Sequence, residues 1–145
     1  MFNMKFEGLD ELIKECTKLA TGKDLEKVDR EIVKEGSLIG HKEAEKRIHK
    51  SIDPSKSGRK GSRTGQHGRD NIPITSIKKK NDRVFIVVGW EKSDDSPYFY
   101  MKMEEWGTSH RSAHPAFLPA AEVTYKELKK IGMRKYENLL KELLG

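Results

Sequence analysis

Residues 119–144 read PAAEVTYKELKKIGMRKYENLLKELL. With Leu118 and Ala121 leading in, Tyr125, Leu128, Gly132, Tyr136, Leu139 and Leu143 recur at spacings of three and four, the apolar stripe of an amphipathic helix. Pro119 suits its first turn, where the missing N–H costs nothing. At 1.5 Å per residue this helix runs roughly 35–40 Å. A domain of this size has a radius of gyration of about 15 Å, so the helix spans the domain or projects from it.

Upstream of that helix the pattern changes to strand. Ile72 to Lys80 and Arg83 to Trp90 are β-like, and Asn81-Asp82 between them suits a tight hairpin turn. Val84-Phe85-Ile86-Val87-Val88 is apolar on both faces, which predicts a central position in a small sheet. Ser93 to Pro97 reads as a polar turn, and the aromatic-rich stretch Tyr98 to Trp106 fits either strand or helix.

The N-terminal half is helical. Leu9, Leu12, Ile13, Cys16, Leu19 and Ala20 form one apolar face of a short helix ended by Gly22, with Cys16 as a small core residue. A second helix starts near Asp24 as N-cap. Its stripe is Leu25, Val28, Ile32 and Ile39, extended by Ile48 and Ile52, and Pro54 ends it. Gly36 and Gly40 weaken it by about 1 kcal/mol each relative to Ala, which predicts one long helix with a soft middle or a break there. The expected fold is α+β in one domain over residues 1–145: N-terminal helices, a small antiparallel sheet and a long C-terminal helix.

Between these parts, Asp53 to Asp70 reads DPSKSGRKGSRTGQHGRD. Almost nothing in it can be buried to offset its ordering entropy, so a flexible loop is expected. Its basic residues, Lys56, Arg59, Lys60, Arg63 and Arg69, are candidates for contact with acidic surfaces or phosphates.

Hydrophobic residues make up 34% of the 145 and charged residues 36%, which implies a lean core under a heavily charged surface. The formal charge is +6, a weak pointer to anionic partners because 23 acidic residues are mixed among 29 basic ones. A single cysteine excludes an intrachain disulfide. No apolar run is long enough to span a membrane. Met1 to Lys14 lacks the basic start and apolar centre of a secretion signal, so folding in the cytoplasm is expected.

No catalytic constellation stands out, and neither enzymatic activity nor a cofactor is expected. His110 and His114 are four apart, a ligand spacing only on a helix, and Pro115 with the neighbouring Ser and Gly residues argues for exposed loop positions instead. His41 and His49 have no carboxylate pattern around them that demands a metal. Gly58-Arg59-Lys60-Gly61-Ser62 lacks the spacing of a phosphate loop and follows no strand. The pairs Asp94-Asp95 and Glu104-Glu105 are of a kind common on solvated surfaces.

The segment Tyr98 to Glu122, YFYMKMEEWGTSHRSAHPAFLPAAE, resembles the signature of the small tail-component, head–tail joining or tail-completion proteins of long-tailed bacteriophages and prophages. The resemblance is carried by Glu105, Trp106, Gly107, Thr108, Pro115, Phe117, Leu118, Pro119 and Ala120. Thr64-Gly65 with Asp70-Asn71-Ile72, and Phe6-Glu7-Gly8-Leu9-Asp10-Glu11-Leu12, resemble the family's lead into its first strand and its opening. Ala116 is a departure, since the family pattern has Pro directly before Phe. The resemblance implies a structural virion protein of the tail or neck that binds other tail or connector proteins and self-associates into a ring.

Folding alone accounts for much of that motif. Gly107 permits a turn with positive φ, Thr108 can bond nearby backbone, and Phe117 and Leu118 can pin the helix entry onto the sheet. Trp106 is the residue expected to be packed in the fold or at an interface, because interfaces favour Trp. The assembly candidates are therefore Trp106, Gly107, Thr108 and Phe117. The competing reading, a basic nucleic-acid-binding protein, rests on the basic loop, and non-specific DNA contact is compatible with both.

Overall fold

The computed structural model describes residues 8–48, 67–91, 96–98, 100–110 and 112–145. Its elements are α1 (Leu9–Leu19), α2 (Gly22–Arg47), a single 3-10 turn (Gly68–Asn71), β1 (Lys78–Lys80), β2 (Arg83–Phe85), α3 (Tyr100–Trp106) and α4 (Phe117–Leu144). The fold is α+β, with a long C-terminal helix and a two-stranded antiparallel sheet.

The 28 residues of α4 span about 42 Å and carry buried side chains along their whole length, from Ala120 and Thr124 to Ile131, Tyr136 and Leu139. Leu118, placed on that stripe by periodicity, is exposed instead. Two apolar clusters form at the two ends of the helix. Near its C-terminal half, Leu9 and Cys16 of α1 and Val28 of α2 pack with Tyr136 and Leu139. Near its start, Ala44 and Ile48 pack with Ile72, Met101, Ala116 and Ala120.

Helix α2 runs unbroken through Gly36 and Gly40. The two glycines are the points where α4 comes close: a β-carbon on Gly36 would lie 2.4 Å from Leu128 Cδ2, and one on Gly40 would lie 3.4 Å from Thr124 Oγ1. Close approach is thus the reason for residues that lower helix propensity. Ion pairs of Glu35 with Arg134 (3.1 Å) and of Lys135 with Glu31 (3.3 Å) and Glu35 (3.0 Å) lace the two helices together. Exposed pairs of this kind contribute little individually.

The start of α2 differs from expectation. Thr21 is the N-cap, and Asp24 is its partner in a capping box, each side chain bonding the other's backbone N–H. Gly22 opens α2 rather than closing α1. The helix ends at Arg47, and Ile52 and Pro54 lie outside the described residues.

Asn81 (φ 51°) and Asp82 (φ 60°) are both left-handed, the backbone of a type I′ hairpin turn. The ladder pairs Lys78 with Phe85, Lys79 with Val84 and Lys80 with Arg83, and resumes only as a single bridge between Ile74 and Val88. Between those two parts the Thr75 hydroxyl accepts from Val87 N, at 3.0 Å. Among the described residues, Val84 to Val88 is half-buried in a two-stranded ribbon and not central in a larger sheet. Within the stretch read as strand or helix, Tyr98 lies in a turn and Tyr100–Trp106 form α3.

Among the buried polar groups, the Tyr136 hydroxyl donates to Asp29 Oδ1. Burial raises the pKa values of both: Asp29 above its ordinary value, and Tyr136 well above that of a free phenol. The Cys16 thiol donates to the Tyr136 carbonyl at 3.4 Å, and burial pushes its pKa up.

Candidate assembly interface

The corner between α3 and α4 is built around one carboxylate. Ala116, at the N-cap of α4, has no side chain that can accept a hydrogen bond. Glu105 takes over that task from α3. Its Oε2 accepts from Ala116 N (2.6 Å) and Phe117 N (3.0 Å), and its Oε1 from Leu118 N (3.0 Å). Three otherwise orphaned donors are satisfied, and a negative charge stands at the positive end of the helix dipole.

The chain reaches this geometry by reversing right after α3. Gly107 adopts φ 75° and donates its N–H to the Met103 carbonyl at 2.8 Å. The Thr108 hydroxyl then accepts from His110 N at 3.2 Å. His114 N donates to the Glu104 carbonyl at 2.7 Å, a second tie between the returning loop and α3. His110 and His114 are exposed loop residues.

Phe117, the first residue of α4, stands edge-on to Trp90 at 6.1 Å between ring centroids. Gly89 makes room for it: its φ is 103°, and a β-carbon there would meet the Phe117 ring at 2.9 Å. Phe117 thus pins the helix entry to the end of the hairpin, and Leu118 does not share that role.

A groove of about 860 Å³ opens between the hairpin, the end of α3, and α2 and α4. Its walls are mostly apolar, with Phe85, Trp90, Phe117 and Leu128 among them, and Gly36 and Gly40 along its floor. Trp106 is 81% exposed on the groove wall. Of the two settings expected for it, packed in the fold or at an interface, the first is not what the structure has, because α3 ends there and the chain turns away at Gly107.

Of the residues picked out from sequence, Trp106 and Phe117 both line this groove, whereas Gly107 and Thr108 shape the turn beside it. Glu105 has the most specific geometry of the corner; sequence reading placed it in the family motif but gave it no role beyond that of a surface carboxylate. Its signal was the lack of any capping side chain at Ala116.

Lys56, Arg59, Lys60 and Arg63 lie outside the described residues. Arg69, expected in the flexible loop, sits in the 3-10 turn with its Nε donating to the Glu45 carbonyl at 2.8 Å. That turn is anchored: His67 is buried, and Gly68 N donates to the Tyr100 hydroxyl at 3.1 Å. A β-carbon on Gly68 would lie 2.6 Å from Met101 Cγ.

No cluster of side chains among the described residues could hold a metal ion, and no described helix is long and apolar enough to cross a membrane. No curated protein and no solved structure matches the chain. The family model described as "Bacteriophage HK97-gp10, putative tail-component" matches residues 10–113. That range takes in all of α1 but its first residue, then α2, the hairpin and the Glu105–Thr108 turn, and stops short of α4. On this match, which covers well over half of its length, the chain belongs to the HK97-gp10-like family of bacteriophage tail components.

Proposed function

We propose that the protein is a non-enzymatic structural component of the virion that completes the tail of a long-tailed phage or prophage and joins it to the head. The groove beside Trp106 receives a neighbouring tail or connector protein, and the chain self-associates into a ring in the assembled neck. The observation that carries this reading is the 81% exposure of Trp106 on the wall of an apolar groove. A large aromatic side chain left in water beside an unfilled apolar surface is the composition of an interface hot spot. Family membership supports the location in the tail. The basic residues Lys56, Arg59, Lys60 and Arg63 add attraction for acidic neighbours or for DNA phosphates in the channel.

The test is in vitro joining of heads to tails that lack this protein, supplied with wild type or with Trp106→Ser. The variant is expected to fold with unchanged stability and fail to join. Normal joining by a folded Trp106→Ser protein overturns the assignment of the groove.

A further inference from the structure

The β-hairpin carries a charge arrangement that the assembly reading does not use. Lys78, Lys79 and Lys80 are consecutive and exposed, and Arg83 follows just after the turn. Strand alternation puts Lys78 and Lys80 on one face, and the register adds Arg83, which stands directly opposite Lys80. Lys79, on the other face, reaches Glu26 of α2 at 2.7 Å. The three cations on the first face have no comparable partner. Lys78 meets Glu91 only at 3.9 Å, and no acidic group among the described residues pairs with Lys80 or Arg83.

On the helices Lys18, Arg30, Lys46, Lys130, Arg134 and Lys135 have carboxylate partners, whereas Lys14, Lys34, Lys42 and Lys129 have none among the described residues; the hairpin differs in gathering three cations on one face of a short ladder. Like charges directly opposite each other in a ladder are destabilising. Here the type I′ turn fixes them in place, since Asn81 and Asp82 hold the two strand ends together.

We propose that this hairpin face is a contact site for the phosphate backbone of duplex DNA. Its two lysines are point charges suited to phosphate oxygens, and Arg83 adds a guanidinium fork that can take a phosphate in bidentate fashion. The tip has no exposed aromatic on which an unpaired base could stack, which favours duplex over single strand. It also offers no helix to a groove, so the contact is independent of base sequence. The proposal does not depend on the Trp106 groove or on the joining role.

The experiment is binding of the full chain to a short blunt duplex of mixed sequence between about 50 and 200 mM salt, the range over which phosphate contacts separate. Wild type is expected to bind with a salt-dependent affinity. Lys80→Ser/Arg83→Ser, checked for unchanged helix content and melting, is expected to bind more weakly. Its slope of log affinity against log salt should be smaller by about 1.8, two phosphate contacts at 0.9 each. Asp82→Gly keeps the left-handed turn and removes the one carboxylate of the tip, so it should bind more tightly. The series is repeated with Lys56, Arg59, Lys60 and Arg63 changed to Ser, so that those charges cannot mask the hairpin's.

Absence of duplex binding by wild type overturns the proposal, as does an unchanged slope in the double variant. If the double variant keeps its DNA affinity but self-associates, the cations guard strand edges, and the proposal fails. If it keeps DNA affinity but loses an acidic tail protein, the partner is protein, and the proposal fails equally.

Discussion

Gly36 of α2 and Leu128 of α4 stand so close that no side chain fits between them: a β-carbon on Gly36 would lie 2.4 Å from Leu128 Cδ2 and 3.2 Å from its Cγ. Four residues on, Gly40 has Thr124 at an ordinary 3.4 Å. Alanine gains about 1 kcal/mol over glycine inside a helix, and overpacking costs about 1–3 kcal/mol. Gly40→Ala should therefore raise the urea midpoint, and Gly36→Ala should lower it. Leu128→Ala combined with Gly36→Ala should cost less than the sum of the two. Equal effects of the two glycine substitutions would show that Leu128 moves aside freely.

Glu105 should matter to α4 as a cap rather than as a surface charge. Loss of a helix cap costs about 0.5–2 kcal/mol, and this one serves three donors. Glu105→Ala should fall at the upper end of that range in urea unfolding, and a serine at Ala116 should restore part of it. Amide exchange at Phe117 and Leu118 should quicken selectively.

Trp106→Ala should change stability by less than about 0.5 kcal/mol, the range for surface substitutions away from packed features. Its exposure leaves little packing to lose. Phe117→Ala should cost about 3 kcal/mol, because its ring packs on Trp90 and fills the space beside Gly89. Thermal unfolding of the two variants side by side checks the contrast.

The pH dependence has a defined sign. The phenol of Tyr136 titrates higher folded than its ordinary value of 10.0, so its contribution is present below about pH 10 and is lost as the pH rises beyond it. Lys135, raised by Glu35 and Glu31, adds to the same alkaline loss. Asp24, Glu26 and Glu43 are lowered by their hydrogen-bond partners, and their contributions disappear as the pH falls below the carboxylate range. Tyr136→Phe should flatten the fall in melting temperature above about pH 10, where the unfolded phenol ionises. An unchanged alkaline slope would place its origin elsewhere.

The long helices and the hairpin turn were legible because each rests on a local rule: three–four spacing for α4, and residues that tolerate positive φ at Asn81-Asp82. What escaped were features set by distant partners. Gly36 and Gly40 look like weak points until Leu128 and Thr124 arrive from a helix about 90 positions later. Glu105 looks like any surface acid because the donors it satisfies belong to another helix, whose uncapped start at Ala116 lies 11 positions further on. Val84 to Val88 is apolar on both faces, yet it lies in a two-stranded ribbon whose residues line the groove. The tail-component motif was legible as a string, but the exposure of its tryptophan depends on where α3 stops.

Cys16, the only cysteine, is fully buried between α1 and α4, with its thiol directed at the Tyr136 carbonyl. A thiol reagent can reach it only when α1 lifts away. The rate of labelling under native conditions is therefore a clock for that opening, in a chain that needs no engineered probe. Read in free protein and again in assembled particles, the same clock reports whether incorporation clamps the first helix.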